Sequence, residues 1–188
     1  MATLTLNLTK DDPKMILDIS KSDNKIKCSM NWKQPAGVTQ KLDLDIYAYL
    51  LNDAGKITSL EQVVYHRAKS SVNGAVTLPF DSLDGSKSEE LFIDSDKIPA
   101  DIRGIAVYAI LHDAVKRGQS FSMLKEAMFC VQNSETEDVL ANYRISDYPD
   151  QYCLHIGNFD KAPNGGMEFI PAGVGGQLDG NGILQLYV

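Results

Sequence analysis

The chain has 188 residues, with 18 Lys and Arg against 25 Asp and Glu, which gives a net charge of −7. That length suits one domain, predicted over residues 1–188, and a hydrophobic content of 44% with 23% charged residues excludes a disordered chain. The acidic balance argues against nucleic acid and anionic membrane surfaces as partners.

The opening segment, MATLTLNLTKDD, lacks the basic and apolar regions of a secretory signal, and no apolar run is long enough to predict a transmembrane segment. In it Leu4, Leu6 and Leu8 alternate with Thr3, Thr5, Asn7 and Thr9, the period of a strand. Ile26, Cys28, Met30 and Trp32 then alternate with Lys25, Lys27, Ser29 and Asn31. Leu42, Leu44 and Ile46 alternate with Lys41, Asp43 and Asp45. Each strand is expected to turn its apolar face to a core and its polar face to water.

Asn52-Asp53-Ala54-Gly55 closes the third strand, and Ser59-Leu60-Glu61-Gln62 reads as a capping box ahead of Val63 and Val64. Asn73-Gly74 is the strongest hairpin signal, with Asp84-Gly85 a further turn. The stretch from Ile102 to Leu111 is almost continuously apolar, as expected of a central strand covered on both faces. Ser120 is predicted to cap a helix of about two turns through Phe121 to Ala127. Phe129 to Val131 and Gly182 to Val188 read as β-prone, with turns at Asn164-Gly165 and Asp179-Gly180-Asn181-Gly182. The sum is a mainly β fold, an antiparallel β-sandwich with a few short helices.

The acidity is clustered: residues 81–101 hold Asp81, Asp84, Glu89, Glu90, Asp94, Asp96 and Asp101 against Lys87 and Lys97. Asp43 and Asp45, two apart on a strand, point to one side, roughly 7 Å apart. Parallel carboxylates repel unless they are solvated or share a cation, and calcium, which takes six to eight oxygens in flexible geometry, is the natural guest. The segment Asp81-Ser82-Leu83-Asp84-Gly85-Ser86-Lys87-Ser88-Glu89-Glu90 adds carboxylates, hydroxyls and a glycine, the makings of an ion-binding loop. A solvated strand face and an ordinary acidic turn are the bland alternative. Nothing in the pattern marks a carboxylate of raised pKa or a run of sugar-stacking aromatics, so a paired-carboxylate hydrolase is not predicted.

Cys28, Cys130 and Cys153 make an odd set without CxxC spacing, read as reduced, partly buried thiols. His66, His112 and His155 are equally scattered, and a zinc site or a histidine triad could assemble only through the fold. Tyr47, Tyr49 and Tyr65 read as sheet-face residues, and His112 as a filler or partner at a strand end.

Several stretches match a known family in order and spacing. Trp32, Leu42-Asp43-Leu44-Asp45, Tyr47-Ala48-Tyr49-Leu50-Leu51-Asn52, Gly55-Lys56 and Tyr65 come first. Leu83-Asp84-Gly85 with Glu89-Glu90, Ile98-Pro99-Ala100-Asp101, Asp113-Ala114 with Gln119-Ser120-Phe121, and Gly173-Val174-Gly175-Gly176 follow. Together they resemble the TerD-type tellurium-resistance and bacterial stress proteins, well over residues 30–146 and loosely at both ends.

The resemblance implies a β-sandwich, a cytoplasmic location, no enzymatic activity, and calcium binding through acidic loops in tellurite and other chemical stress. Other stress-response proteins would be its partners. Carried over by motif, the implied metal ligands are Asp43, Asp45, Asp81, Glu89, Glu90 and Asp113, with Ser82 and Asp84 from the loop. The chain departs from the pattern at Lys41, where the family has an aspartate, and in a loop shorter by about two residues with Lys87-Ser88 before Glu89. These departures predict one weaker calcium site or none. The alternative is a diverged, metal-independent interaction scaffold of the same fold. Direct tellurite chemistry would need an exposed, reactive cysteine.

Overall fold

The computed structural model describes the backbone of residues 6–8 and all of residues 15–188. Numbered in chain order, the strands form two six-stranded sheets. The first runs β1 (Leu6–Leu8), β10 (Val139–Arg144), β9 (Lys125–Asn133), β3 (Lys25–Lys33), β7 (Glu89–Asp94) and β6 (Val76–Thr77). The second runs β2 (Leu17–Ile19), β12 (Met167–Gly176), β11 (Cys153–Lys161), β8 (Gly104–Leu111), β4 (Leu44–Leu51) and β5 (Val63–Val64). All neighbours are antiparallel except β1 and β10, which run parallel. Of the predicted first strand, only residues 6–8 fall within the described residues.

One apolar core joins the two sheets. β3 contributes Ile26, Cys28, Met30 and Trp32, the inward set that its alternation predicts, and β4 contributes Leu44, Ile46, Ala48 and Leu50. β8 is buried along its whole length, as its continuous apolar run requires. One of its faces joins the shared core. The other carries Ala106, Tyr108 and Ile110 into a second apolar cluster with Tyr49, Leu51, Val63 and Ile183.

Ile183 belongs to a helix, α2 (Gly180–Tyr187), where a β-prone run was expected. Asp179 caps it by accepting from the Gly182 amide at 2.7 Å. The outer face of the second sheet offers an apolar bed that one side of a helix can cover, and that burial outranks local strand preference. Gly180 is required for the close approach, since a Cβ there would stand 2.5 Å from the Tyr47 ring. A second expectation is corrected on the same sheet. Asp43 and Asp45 share the outer face with Tyr47 and Tyr49, yet they do not lie in water; they are 8% and 1% exposed.

Two further expectations change. Ser120 caps no helix: a single 3-10 turn, Phe121–Met123, leads directly into β9. The ladders to β3 and β10 on either side claim β9, so tertiary pairing overrides the helix preference of residues 125–127, while the β-prone run at 129–131 takes its place in the same strand. A short helix, α1 (Ala114–Arg117), forms instead after β8. The Ser59 to Gln62 box does form, but around one 3-10 turn, with the Glu61 amide donating to Ser59 Oγ and the Ser59 amide to Gln62 Oε1.

Trp32 fixes the acidic loop. Its indole Nε1 donates to the Leu42 carbonyl at 2.8 Å, holding the approach to β4. Gly85, at φ 71°, sits so close that a Cβ would stand 2.5 Å from the Trp32 carbonyl oxygen. Replacing Gly85 with Ala adds that clash to an unfavourable left-handed backbone. A loss of about 1–3 kcal/mol in urea unfolding is expected, without change of fold by circular dichroism.

Candidate metal centre

The carboxylates of Asp43, Asp45 and Asp81 each bring an oxygen within 4.8 Å of the others. β4 and the residue just before it supply the first two, at the end where the strand enters the sheet, and the loop after residue 80 supplies the third. The Asp43 carbonyl accepts from the His112 amide at 2.8 Å, so β8 holds this end of β4 in place.

Glu89 approaches the group from the opposite sheet and feels the charges of Asp45 and Asp81. β5 pairs only with Ala48 and Tyr49, which leaves the Ile46 amide without a strand partner on that edge. Glu89 Oε1 accepts it at 2.7 Å, and the side chain is completely buried. Burial pushes the Glu89 carboxyl up to about 9, opposed by the Ile46 hydrogen bond and reinforced by the charges of Asp45 and Asp81. Burial, then the charge of Asp45, raise Asp43 to about 6. Carboxyls of raised pKa, which the sequence pattern did not indicate, are therefore present.

Several oxygens at this place lack partners. Among the described residues none hydrogen-bonds to Asp43 Oδ1, Asp81 Oδ1 or Ser82 Oγ, all shielded from solvent. A buried oxygen without a donor costs about 1–3 kcal/mol, more when charged. Hard oxygen donors left open at one point suit a cation such as calcium, so the residues present fit the ion that the motif resemblance implies. An open cleft lined by Thr39, Gln40, Lys41, Leu83 and Arg117 leads to Asp43.

The remaining expected ligands diverge. Asp84 turns outward, its carboxylate 3.6 Å from Lys41 Nζ, and accepts from the Ser86 amide, with which its hydrogen bonding holds its pKa below the ordinary value. Lys41 thus faces Asp84 and stays largely exposed, where it was expected to share a strand face with Asp43 and Asp45. Glu90 follows Glu89 on β7 and so points to the other face, 3.9 Å from Lys27 Nζ. Asp113 lies beyond β8, 3.8 Å from His112 Nε2, on the wall of a neighbouring cavity.

Sequence reasoning missed the histidines beside this centre. His66 occupies a two-residue hairpin turn closed by Tyr65 and Ala68, which exchange both backbone hydrogen bonds at 3.0 Å. His112 follows β8. From the two flanking strands of β4 they converge on Asp45, each with Nδ1 3.1 Å from Oδ2 and with ring centroids 5.0 Å apart. Only the spacing of two strand ends around β4 joins them, so no local motif could have signalled the pair.

A two-sheet sandwich with an oxygen-lined acidic centre at one edge defines the class of protein. A family model described as the TerD domain matches residues 4–185, and the chain belongs to the TerD family. It is 27% identical over 184 residues to General stress protein 16U of Bacillus subtilis (strain 168), covering 93% of this chain and 92% of that protein. It is 25% identical over 176 residues to Tellurium resistance protein TerD of Alcaligenes sp, covering 92% and 91%. The crystal structure of a TerD homologue, SCO6318 from Streptomyces coelicolor A3(2), superposes with a TM-score of 0.72 at 18% identity over 84% of this chain and 93% of that one.

In the unfolded chain Glu89 ionises near 4.5, whereas in the fold it keeps its proton to about 9. Its contribution to stability is therefore complete below 4.5 and lost as pH rises toward 9. Glu89→Gln, neutral at every pH, removes that loss. In metal-free protein the melting temperature of the variant relative to wild type is expected to climb steadily from pH 5 to pH 9.

Proposed function

We propose that this TerD-family chain is a non-enzymatic, calcium-binding protein of the chemical-stress response, tellurite included, acting in the cytoplasm with other stress-response proteins as partners. One observation carries the calcium reading: Asp43 and Asp81, each with a buried oxygen that lacks a partner, stand with Asp45 so that their carboxylate oxygens fall within 4.8 Å of one another. In this reading Asp43, Asp45 and Asp81 hold the ion, with Ser82 and Glu89 as further oxygen donors. The ion would supply the positive charge that lets these acids ionise together.

The stress assignment draws on the relatives, named for general stress and for tellurium resistance. Absence of catalysis is supported by Glu89, the acid of most raised pKa at the centre, which is sealed from any substrate. Thiol chemistry finds little support: Cys28 and Cys153 are buried, and burial raises the thiol pKa of all three cysteines, that of Cys153 to about 12.

Calorimetric titration of metal-free protein with calcium tests the reading. At calcium a hundredfold above Kd the stabilisation is about 2.7 kcal/mol. That corresponds to a Tm rise of roughly 5–10 °C in a domain of this size. Asp43→Asn should abolish both signals. Absence of heat and of any Tm shift at millimolar calcium in the wild type would sink the idea.

The Lys41–Asp84 pair favours a second reading, a metal-independent interaction scaffold, because it places a cation at the mouth of the cleft to Asp43. Lys41→Asp separates the two. Calcium reading requires tighter binding, by about fivefold for a surface charge term near 1 kcal/mol. No gain, with no binding in the wild type, would favour the scaffold.

A further inference from the structure

Asp45 faces two chemistries. On one side stand the oxygens of Asp43 and Asp81; on the other stand two imidazoles. We propose that His66, His112 and Asp45 form a second cation seat, for a borderline divalent metal of the zinc class, which shares the Asp45 carboxylate with the oxygen-lined centre. This inference does not depend on calcium occupying that centre.

The distances suit one ion. Zinc bonds imidazole nitrogen at about 2.0–2.1 Å and carboxylate oxygen at about 2.0–2.2 Å, so adjacent ligands on a tetrahedron stand about 3.3 Å apart. Both Nδ1 atoms lie 3.1 Å from Asp45 Oδ2, and the ligand atoms of all three residues fall within 4.8 Å of one another. The ligand set is two nitrogens and one carboxylate oxygen, which favours zinc, cobalt or nickel over calcium.

Hydrogen bonding alone accounts for only half of the arrangement. His112 Nδ1 meets Asp45 Oδ2 with the geometry of a hydrogen bond. His66 Nδ1 is equally near the same oxygen but off the line that a hydrogen bond needs, and it is buried without another partner. A buried imidazole nitrogen 3.1 Å from a carboxylate oxygen and without another partner is the arrangement that a metal between them satisfies.

The seat is rigid and reachable. The closed turn around His66 and the backbone bond from His112 to Asp43 fix both ligands before any ion arrives. Their rings line a cavity of about 480 Å³ whose walls include Tyr47, Tyr65, Asp113 and Asp179. That cavity has room for water to complete the coordination and for an ion to enter. Arg67 on its wall opposes a cation, while Asp113 and Asp179 favour one.

The test uses the metal-stripped full chain titrated with zinc against a chromophoric chelator, and with cobalt as a visible probe. Wild type is expected to take up one zinc, to give cobalt d–d bands, and to shift the side-chain nitrogen resonances of both His66 and His112. His66→Gln and His112→Gln should each weaken zinc at least tenfold and abolish the cobalt bands, while leaving calcium binding as in wild type. Asp43→Asn should do the reverse, removing the calcium response and keeping zinc. Failure of zinc to bind the wild type, binding that both histidine variants retain, or unshifted His66 and His112 resonances would overturn the proposal. The resonance readout needs no variant and decides the matter even where a substitution impairs folding.

Discussion

Too many carboxylates share too little water at one edge of this sandwich. Asp43, Asp45 and Asp81 converge where β4 outruns its short partner β5, and the wholly enclosed Glu89 feels the charges of Asp45 and Asp81. Like charges in such a place must be neutralised by protons or by cations. Glu89 does the first by keeping its proton and spending one oxygen on the unpaired Ile46 amide. That single bond links the two sheets across the core and satisfies a buried strand amide.

The outer face of the second sheet is closed by an element remote in sequence. α2 lies over the outer face of the second sheet, with Tyr49 Oη donating to the Gly180 carbonyl at 2.9 Å and the Tyr108 and Tyr187 hydroxyls 2.6 Å apart. Ile57 donates to the Tyr187 carbonyl, which pins the far end of the helix. The aromatic layer is therefore part packing and part wall: Tyr49 and Tyr108 are buried, whereas Tyr47 and Tyr65 stack at 5.3 Å along the cavity. Trp32 does the corresponding work for the acidic loop from the first sheet.

Much of the fold was legible because the signals were local and repeated. Alternation along β3, the apolar run of β8 and the turn at Asn73-Gly74, where both residues take positive φ, required no knowledge of neighbours. The same-side placement of Asp43 and Asp45 follows from strand geometry alone. Legibility ended where two segments compete for one surface. Residues 121–127 read as a helix, yet 125–127 open a strand that finds ladders on both sides, and residues 182–188 look like a strand but find an apolar bed. Glu90 and Asp113 match the family motif as letters, yet the alternation of β7 and the end of β8 send them elsewhere.

By itself the sequence determined the β class, the family and the acids of β4 and of the loop around residue 81, because side-chain alternation and motif order are properties of the chain. Only the tertiary structure decided that those acids are buried, that Glu89 rather than Glu90 joins them, and that Lys41 turns to Asp84. It alone brought His66 and His112 to Asp45. The physical reason is common to all of these: burial, charge coupling and ligand convergence depend on distances between segments that meet only when the sheets close.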